Sequence, residues 1–554
     1  MNFHVNCIDC GHHTLYHPND VSCPKCGSQW REAIYPYDEI APTFITDISR
    51  RRFDLWRYQK VLPICLSHPQ LKMGEGGTPL IQAVNLGIML GCPNIFIKDE
   101  RQGPTTSFKD RQAAVTITAL KEAGITEMVV ASTGNVAIAY SAYAARAGIK
   151  LWAFVTSLVP ALKMREIALY GSQVVKVTGS YDQVKKIAAE FADQRGLYQD
   201  RGARTITSIE AMKTIAYEIA EQLTEECGLL EGAHTPWRTP DWYVQSISGG
   251  LGPIGVRKGF QEMMQMGLTD QMPAMAGIQS EGCAPMVHAW RRDLPEAEPV
   301  TNPQTHIETL ATGTPGRTYP ILRNFLKKDG GVFESVTDKE AYHAMHVLAK
   351  MEGISAEPAA AVAFAGVFKL IRAGIIKSDD VVVINCTGHT MPAEPIVLGT
   401  GWSRDVNVPL AEEDKPQEEG LLAALSRIAA NRFPCILIVD DSPDARRLTR
   451  RILQSQGEYQ FFEAADGRDA LKLVASEHPD LIILDLMMPE MDGFAVLDAL
   501  KTNPDTAEIP VIVSTAKELT LDEKKYLQGH IQACMQKGSF MSDELLEEVN
   551  ALIK

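Results

Sequence analysis

At 554 residues, with 45% hydrophobic and 22% charged side chains, the chain is long enough for three or four folding units and has a globular balance that excludes a fibrous or wholly disordered protein. Its formal net charge of -15 disfavours a polyanion such as nucleic acid as the main ligand. The first twenty residues carry four histidines and two cysteines but no apolar run, and the most apolar helical stretch, Ala359 to Phe368, is too short for a bilayer. A soluble cytoplasmic protein without a membrane partner is therefore expected.

Residues 1–34 are rich in Cys and His. The pairs Cys7-x-x-Cys10 and Cys23-x-x-Cys26 offer four soft ligands on two tight turns, the arrangement that tetrahedral Zn²⁺ takes in ribbons. So short a segment cannot fold on its apolar content, so the metal would supply its folding energy, and the role is structural. His12, His13 and His17 lie between the pairs and are expected to be solvated. An odd total of eleven cysteines fits a reducing compartment better than a disulfide framework.

From 35 to 400, β-branched runs alternate with Ala-rich helical pattern: Met128 to Ala131, a helix over Asn135 to Ala147, then Leu151 to Thr156. Gln173 to Val177, Trp242 to Ile247, Met275 to Gln279 and Val381 to Asn385 are further strands, bounded by Gly, Pro or Ser. That rhythm predicts a parallel α/β sheet with its ligands outside the carboxyl ends of the strands. Between 401 and 432 the pattern fails. Glu412, Glu413, Asp414, Glu418 and Glu419 crowd around Pro416, which predicts a flexible acidic linker ending in a short helix, Leu421 to Ala430. Over 433–554 a second βα rhythm follows, with strands Cys435 to Val439, Gln460 to Glu463, Leu481 to Leu484, Val511 to Ser514 and Ile531 to Met535, which suits one doubly wound domain.

Within Pro104-Thr105-Thr106-Ser107-Phe108-Lys109-Asp110-Arg111, Ser107 is placed to cap a helix and Lys109 lies in its first turn. A lysine at an electropositive helix end costs stability, and a lysine of depressed pKa is the nucleophile of Schiff-base chemistry. Ser132-Thr133-Gly134-Asn135 follows a strand and opens a helix, so its hydroxyls and N–H groups suit a carboxylate. Ser248-Gly249-Gly250-Leu251-Gly252-Pro253 repeats the arrangement, with glycines that let N–H groups close around a phosphate.

Taken in order with Gly74-Glu75-Gly76-Gly77-Thr78-Pro79-Leu80, Glu357-Pro358-Ala359 and Thr387-Gly388-His389, these motifs resemble the pyridoxal 5'-phosphate (PLP) enzymes of the tryptophan synthase β superfamily, fold type II. Within it, the motifs resemble those of the threonine synthases. The resemblance implies a two-lobed fold with PLP between the lobes, covalently bound by Lys109, which also shuttles protons. It implies that Asn135 hydrogen-bonds the ring hydroxyl, that Gly249, Gly250, Leu251 and Gly252 cradle the cofactor phosphate, and that Thr387 meets the pyridine nitrogen. Ser132, Thr133, Gly134 and Lys163 would bind substrate. A hydroxyl at the ring nitrogen tempers the electron sink and favours elimination and replacement over transamination.

The chain departs from the threonine synthase pattern where a substrate phosphate would sit: Val136 stands for Thr, Gly250 interrupts a Gly-Asn-x-Gly-Asn loop and Ser208 stands for Arg, while Lys163 and Lys213 are kept and Arg204 is a candidate replacement. Three readings follow: a threonine synthase converting O-phosphohomoserine and water to threonine and phosphate; a β-replacing or β-eliminating enzyme acting on O-phosphoserine, serine or threonine; or a silent ligand-binding scaffold. A homodimer is expected.

In the last segment, Asp440 and Asp441 end one buried strand and Asp485 ends another. Three acids at neighbouring strand ends repel one another unless a cation such as Mg²⁺ sits among them. Asp485-Leu486-Met487-Met488-Pro489-Glu490-Met491-Asp492-Gly493 resembles the response-regulator receiver signature. That resemblance implies that Asp485 accepts a phosphoryl group from a histidine kinase or phosphotransfer partner, that Asp440, Asp441 and Asp485 hold Mg²⁺, and that Thr515 and Lys537 form the switch. Gly538 stands for the usual Pro, and Cys534 for the usual aromatic.

Overall fold

The computed structural model describes residues 3–65, 69–132, 134–156, 159–178, 181–226, 236–389, 434–454, 459–517, 519–536, 545, 548–549 and 551–553. The linker expected over 401–432, with its helix Leu421 to Ala430, lies outside the described residues. Contacts divide the chain into two units: Met1–Val84, Cys92–Leu348 and Ser355–Pro392 form one, and Asn85–Gly91, Ala349–Ile354 and Ala393–Lys554 form the other.

In the first unit His4–Cys7 pairs antiparallel with both His13–Thr14 and Arg31–Ile34, giving a three-stranded ribbon. Two further sheets follow. The larger runs in the order Val332–Val336, Ala274–Ser280, Trp242–Ser246, Val382–Cys386, Ile95–Asp99, Leu80–Gln82, and is parallel except for the last pair. The smaller is parallel throughout, in the order Gln173–Val177, Lys150–Thr156, Glu127–Ser132, Tyr198–Gln199. The central strands Trp242–Ser246 and Val382–Cys386 are buried at every residue, as parallel strands covered on both faces must be. Helix Pro358–Arg372 starts with Pro at its first position, where no N–H is needed, and buries its Ala-rich body on this sheet. A Cβ at Gly366 would come within 2.5 Å of Ile278 Cγ1, and overpacking of that kind costs about 1–3 kcal/mol.

The second unit contains a five-stranded parallel sheet in the order Gln460–Ala464, Cys435–Val439, Leu481–Leu484, Val511–Thr515, Ala533–Gln536. Its first strand lies second in the sheet, the doubly wound order whose ligands sit beyond the strand ends. Alternate residues serve opposite cores: Leu437 and Val439 pack on one face, Ile436 and Ile438 on the other. Helix Leu521–Gln528 is fixed by a capping box between Thr520 and Glu523. Among the described residues no helix is long and apolar enough to cross a membrane.

Candidate active site and metal centres

Lys109 is the first residue of helix Lys109–Glu122. Ser107 does not cap this helix. Its backbone bridges antiparallel to Gly388, Phe108 N donates to Thr387 O at 3.0 Å and His389 N to Thr106 O at 3.1 Å. The two segments are thereby laced side by side, and the Ser107 hydroxyl is left buried without a hydrogen-bond partner. Thr106 takes φ 57°, a left-handed backbone that a β-branched residue adopts only under constraint.

The Lys109 Nζ lies 4.1 Å from the Phe108 ring centroid. Desolvation pushes its pKa down to about 8, against the pull of Asp200 and Glu357. Asp200 owes its position to its own turn: it accepts Gly202 N at 2.6 Å, Ser208 Oγ at 3.0 Å and the Tyr140 hydroxyl. Asp110, beside the lysine, accepts Thr105 N and Oγ1 at 2.9 and 2.6 Å, and burial pushes its carboxyl up to about 7.

Asn135 opens helix Asn135–Ala147. Its Nδ2 donates to Glu357 Oε1 at 2.7 Å and its Oδ1 accepts from Lys163 Nζ at 3.1 Å, while Lys163 also pairs with Glu357 at 3.3 Å. Gly388 makes room for this trio, since a Cβ there would lie 2.4 Å from Glu357 Oε1. Ser132 Oγ accepts Gly134 N and Ala137 N at 3.0 and 3.1 Å, so it closes the helix start, and Thr133 lies outside the described residues. Gly250, at φ 84°, precedes helix Leu251–Gln265, whose first two residues are Leu251 and Gly252. Gly249 has open space where a Cβ would be, and a Cβ at Gly252 would strike the Gln245 side chain at 2.3 Å. This loop and Thr387 stand beyond the carboxyl ends of adjacent parallel strands, Trp242–Ser246 and Val382–Cys386. An orphaned hydroxyl at Ser107, an amine of lowered pKa and a helix start where Gly250 and Gly252 admit no side chain all fit a bound phosphorylated aldehyde.

Two residues held in reserve for a substrate phosphate are placed elsewhere. Lys213 is fully buried between Glu210 at 2.5 Å and Glu262 at 2.9 Å, and Arg204 donates to Gln29 of the ribbon at 2.6 Å. Ser208 spends its hydroxyl on Asp200. Val136 packs against an apolar core. Behind the site, Arg111 bridges Glu100 and Glu218 at 2.6 and 2.7 Å, and Glu218 also takes Lys98 at 2.7 Å, all within the interior. The parts played by Glu357 and Asp200 were missed in the sequence, although Glu357 stood inside a quoted motif.

In the ribbon the sulfurs of Cys7, Cys10, Cys23 and Cys26 all lie within 4.8 Å of one another, with Cys7 to Cys26 at 3.5 Å, and none is in a disulfide. Each pair forms one tight turn: Gly11 N donates to Cys7 O at 2.9 Å and Gly27 N to Cys23 O at 2.8 Å. Burial raises the Cys7 thiol, but the N–H groups of Cys10 and Asp9 outweigh it and bring its pKa to about 7. Four such sulfurs suit a tetrahedral cation.

In the second unit, carboxylate oxygens of Asp440, Asp441 and Asp485 lie within 4.8 Å of one another, Asp441 exposed and the other two buried. Asp440 Oδ1 accepts Ser442 N at 3.0 Å and Asp485 Oδ1 accepts Met487 N at 3.1 Å. A Cβ at Gly493 would sit 2.3 Å from the Asp485 carbonyl, so the loop closes only over glycine. Thr515 ends the neighbouring strand, and its Oγ1 accepts Lys517 N at 3.2 Å. Lys537 lies outside the described residues.

The first unit, with Lys109 opening one helix and Gly250 preceding another, has counterparts among known proteins. The family described as pyridoxal-phosphate dependent enzyme matches residues 71–388, and the chain belongs to it. The response regulator receiver domain matches residues 436–550, so a receiver is fused behind the enzyme. The chain is 33% identical over 387 residues to a threonine synthase of Methanocaldococcus jannaschii, which spans 69% of this chain and 91% of the relative. It is 32% identical over 402 residues to the threonine synthase of Methanosarcina acetivorans, spanning 72% and 94%. Among solved structures, the processed form of threonine deaminase isoform 2 from Solanum lycopersicum is 20% identical, with a TM-score of 0.49, covering 65% of this chain and 86% of that one.

Proposed function

We propose that the enzyme domain is a threonine synthase, converting O-phosphohomoserine and water to threonine and phosphate. PLP supplies the electron sink for chemistry beside the substrate amino group. The carrying observation is the Lys109 amine, desolvated to a pKa of about 8 at a helix start tied to Thr387 and Gly388. At that pKa it is the group that would carry the cofactor and hold or release a proton near neutral pH. Asn135, held by Glu357 and Lys163, would orient the cofactor ring, and the N–H groups of Gly249 to Gly252 would hold its phosphate. Thr387 would offer the ring a neutral hydroxyl. Lys163 is the cation for the substrate's anionic end. Kinship to threonine synthases over nine tenths of their length supports the reading.

A second reading has its own observation: Ser208 is hydrogen-bonded to Asp200 and Lys213 is neutralised in the interior, which leaves a phosphate ester few partners. It gives elimination or replacement on serine, threonine or O-phosphoserine. Phosphate release from O-phosphohomoserine, assayed beside 2-oxoacid release from the other three, decides. Turnover of O-phosphohomoserine at least tenfold above the others is expected. Preference for serine or threonine favours the second reading, and no turnover at all leaves a binding scaffold.

Cys7, Cys10, Cys23 and Cys26 hold structural Zn²⁺ on this reading, and Asp440, Asp441 and Asp485 hold Mg²⁺ for phosphorylation of Asp485 by a histidine kinase or phosphotransfer partner, with Thr515 and Lys537 answering the added charge. The protein works as a cytoplasmic homodimer. Regulation is tested by steady-state rates and sedimentation with and without acetyl phosphate and Mg²⁺, in wild type and Asp485→Asn. A change confined to wild type is expected, and identical behaviour of the two proteins would count against it.

A further inference from the structure

The first unit carries a second concavity that the reaction does not use. It is a cleft of about 520 Å³, whose lining includes Arg52, Asp54, Trp56, Lys72, Gly74 and Arg146. Its three cations come from three separate stretches: the approach to the turn Leu55–Val61, the residue after Pro69–Leu71, and the last turn of helix Asn135–Ala147. Among the described residues, no carboxylate forms an ion pair with any of the three. The one acid in the wall, Asp54, caps the turn by accepting Trp56 N at 2.9 Å. Arg146 Nε donates to the Gln70 carbonyl, which fixes its guanidinium on the wall, and Lys72 Nζ lies 5.7 Å from the Trp56 ring centroid. Gly74 has φ 99° and nothing where a Cβ would stand, so backbone lines that side.

In a chain of net charge -15, three cations gathered at one concavity against the single carboxylate of Asp54 make a local positive potential. The volume suits a small molecule, and guanidinium forks beside an ammonium match phosphate oxygens. The cleft is distinct from the Lys109 site. Arg146 stands 146 − 135 = 11 residues along the helix from Asn135, about 16 Å at a rise of 1.5 Å per residue. Glu75, next to Gly74, ties the cleft walls together: it accepts from Trp56 Nε1 and, at 2.9 Å, from the Tyr143 hydroxyl one turn before Arg146.

We propose that this cleft binds a small organic phosphate carrying two or more negative charges. The test is calorimetric titration of the full-length, PLP-loaded protein with inorganic pyrophosphate at constant ionic strength, with inorganic phosphate and adenosine 5'-diphosphate as further arms that separate charge from the organic part. Saturable pyrophosphate binding is expected, at least tenfold weaker in Lys72→Gln/Arg146→Gln and several-fold weaker in Arg52→Gln, whose side chain supports no described hydrogen bond. Lys328→Gln, an exposed lysine on another helix, should bind as wild type does. Absence of saturable binding in wild type, or wild-type affinity in both cleft variants, overturns the proposal.

Discussion

Replacing Glu218 by Gln tests the buried ionic cluster behind the active site. The Glu218 carboxylate, shielded from water, faces Arg111 Nη1 and Nη2 at 2.7 Å and Lys98 Nζ at 2.7 Å, and accepts Gly77 N at 2.9 Å. Burial alone would raise its pKa, yet Arg111 and Lys98 hold it well below the usual carboxylate range. With Glu100 the cluster has two cations and two anions. Glu218→Gln leaves two buried cations against one carboxylate, and breaking a buried pair in this way costs about 3–5 kcal/mol. Lys98→Met added to it restores neutrality around the Arg111–Glu100 pair, so the double variant should recover about 1–2 kcal/mol relative to the sum of the singles. Urea unfolding followed by tryptophan emission isolates the enzyme, because the last of the seven tryptophans is Trp402 and the receiver has none. A loss below about 1 kcal/mol in Glu218→Gln, or strict additivity in the double variant, would refute the charge-balance reasoning.

Other expectations follow from the same geometry. Lys109, desolvated to about 8 from an ordinary 10.5, should make PLP uptake by the apoprotein rise with pH around a midpoint near 8; because its folded pKa is the lower one, the linked stability is present above 10.5 and lost as pH falls through 8. A midpoint near 10.5 would contradict the burial. Gly388→Ala puts a Cβ 2.4 Å from Glu357 Oε1 and 3.3 Å from Asn135 Nδ2, so PLP affinity, read from the cofactor's fluorescence, should fall at least tenfold, about 1.4 kcal/mol; an unchanged dissociation constant argues that the trio does not orient the cofactor. Elemental analysis should find one zinc per chain in wild type and under a tenth of that in Cys23→Ser, and full occupancy in the variant rules out a four-cysteine site. Phosphate incorporated from acetyl phosphate should be labile to alkali and hydroxylamine, Mg²⁺-dependent and absent in Asp485→Asn, and labelling that persists in the variant points to another acceptor.

Much of this protein was written in local pattern. Parallel strands buried on both faces read as apolar, β-branched runs, so Cys435–Val439 was legible residue by residue; the half-exposed edge strand Gln173–Val177 kept enough valine to be read as well, and the helix Asn135–Ala147 was bounded by Gly134 and Gly148. Cysteine spacing and acids at strand ends carried over because ligands three residues apart, or at the ends of adjacent strands, need no distant partner to be recognised. The strand Ile95–Asp99 was missed because its Lys98 and Asp99 look solvated, and it takes Glu218, 120 residues away, with Gln222 and the Thr78 carbonyl, to make Lys98 an interior residue. Lys213 and Arg204 looked available for a phosphate until Glu210 and Glu262 neutralised one in the interior and Gln29 engaged the other. Glu357 became the partner of Asn135 and Lys163 only when a chain separation of 222 residues closed to 2.7 Å. Residue type and spacing determine which groups can do chemistry; burial and long-range charge pairing, which depend on how distant segments pack, decide which of them face the site and in what protonation state.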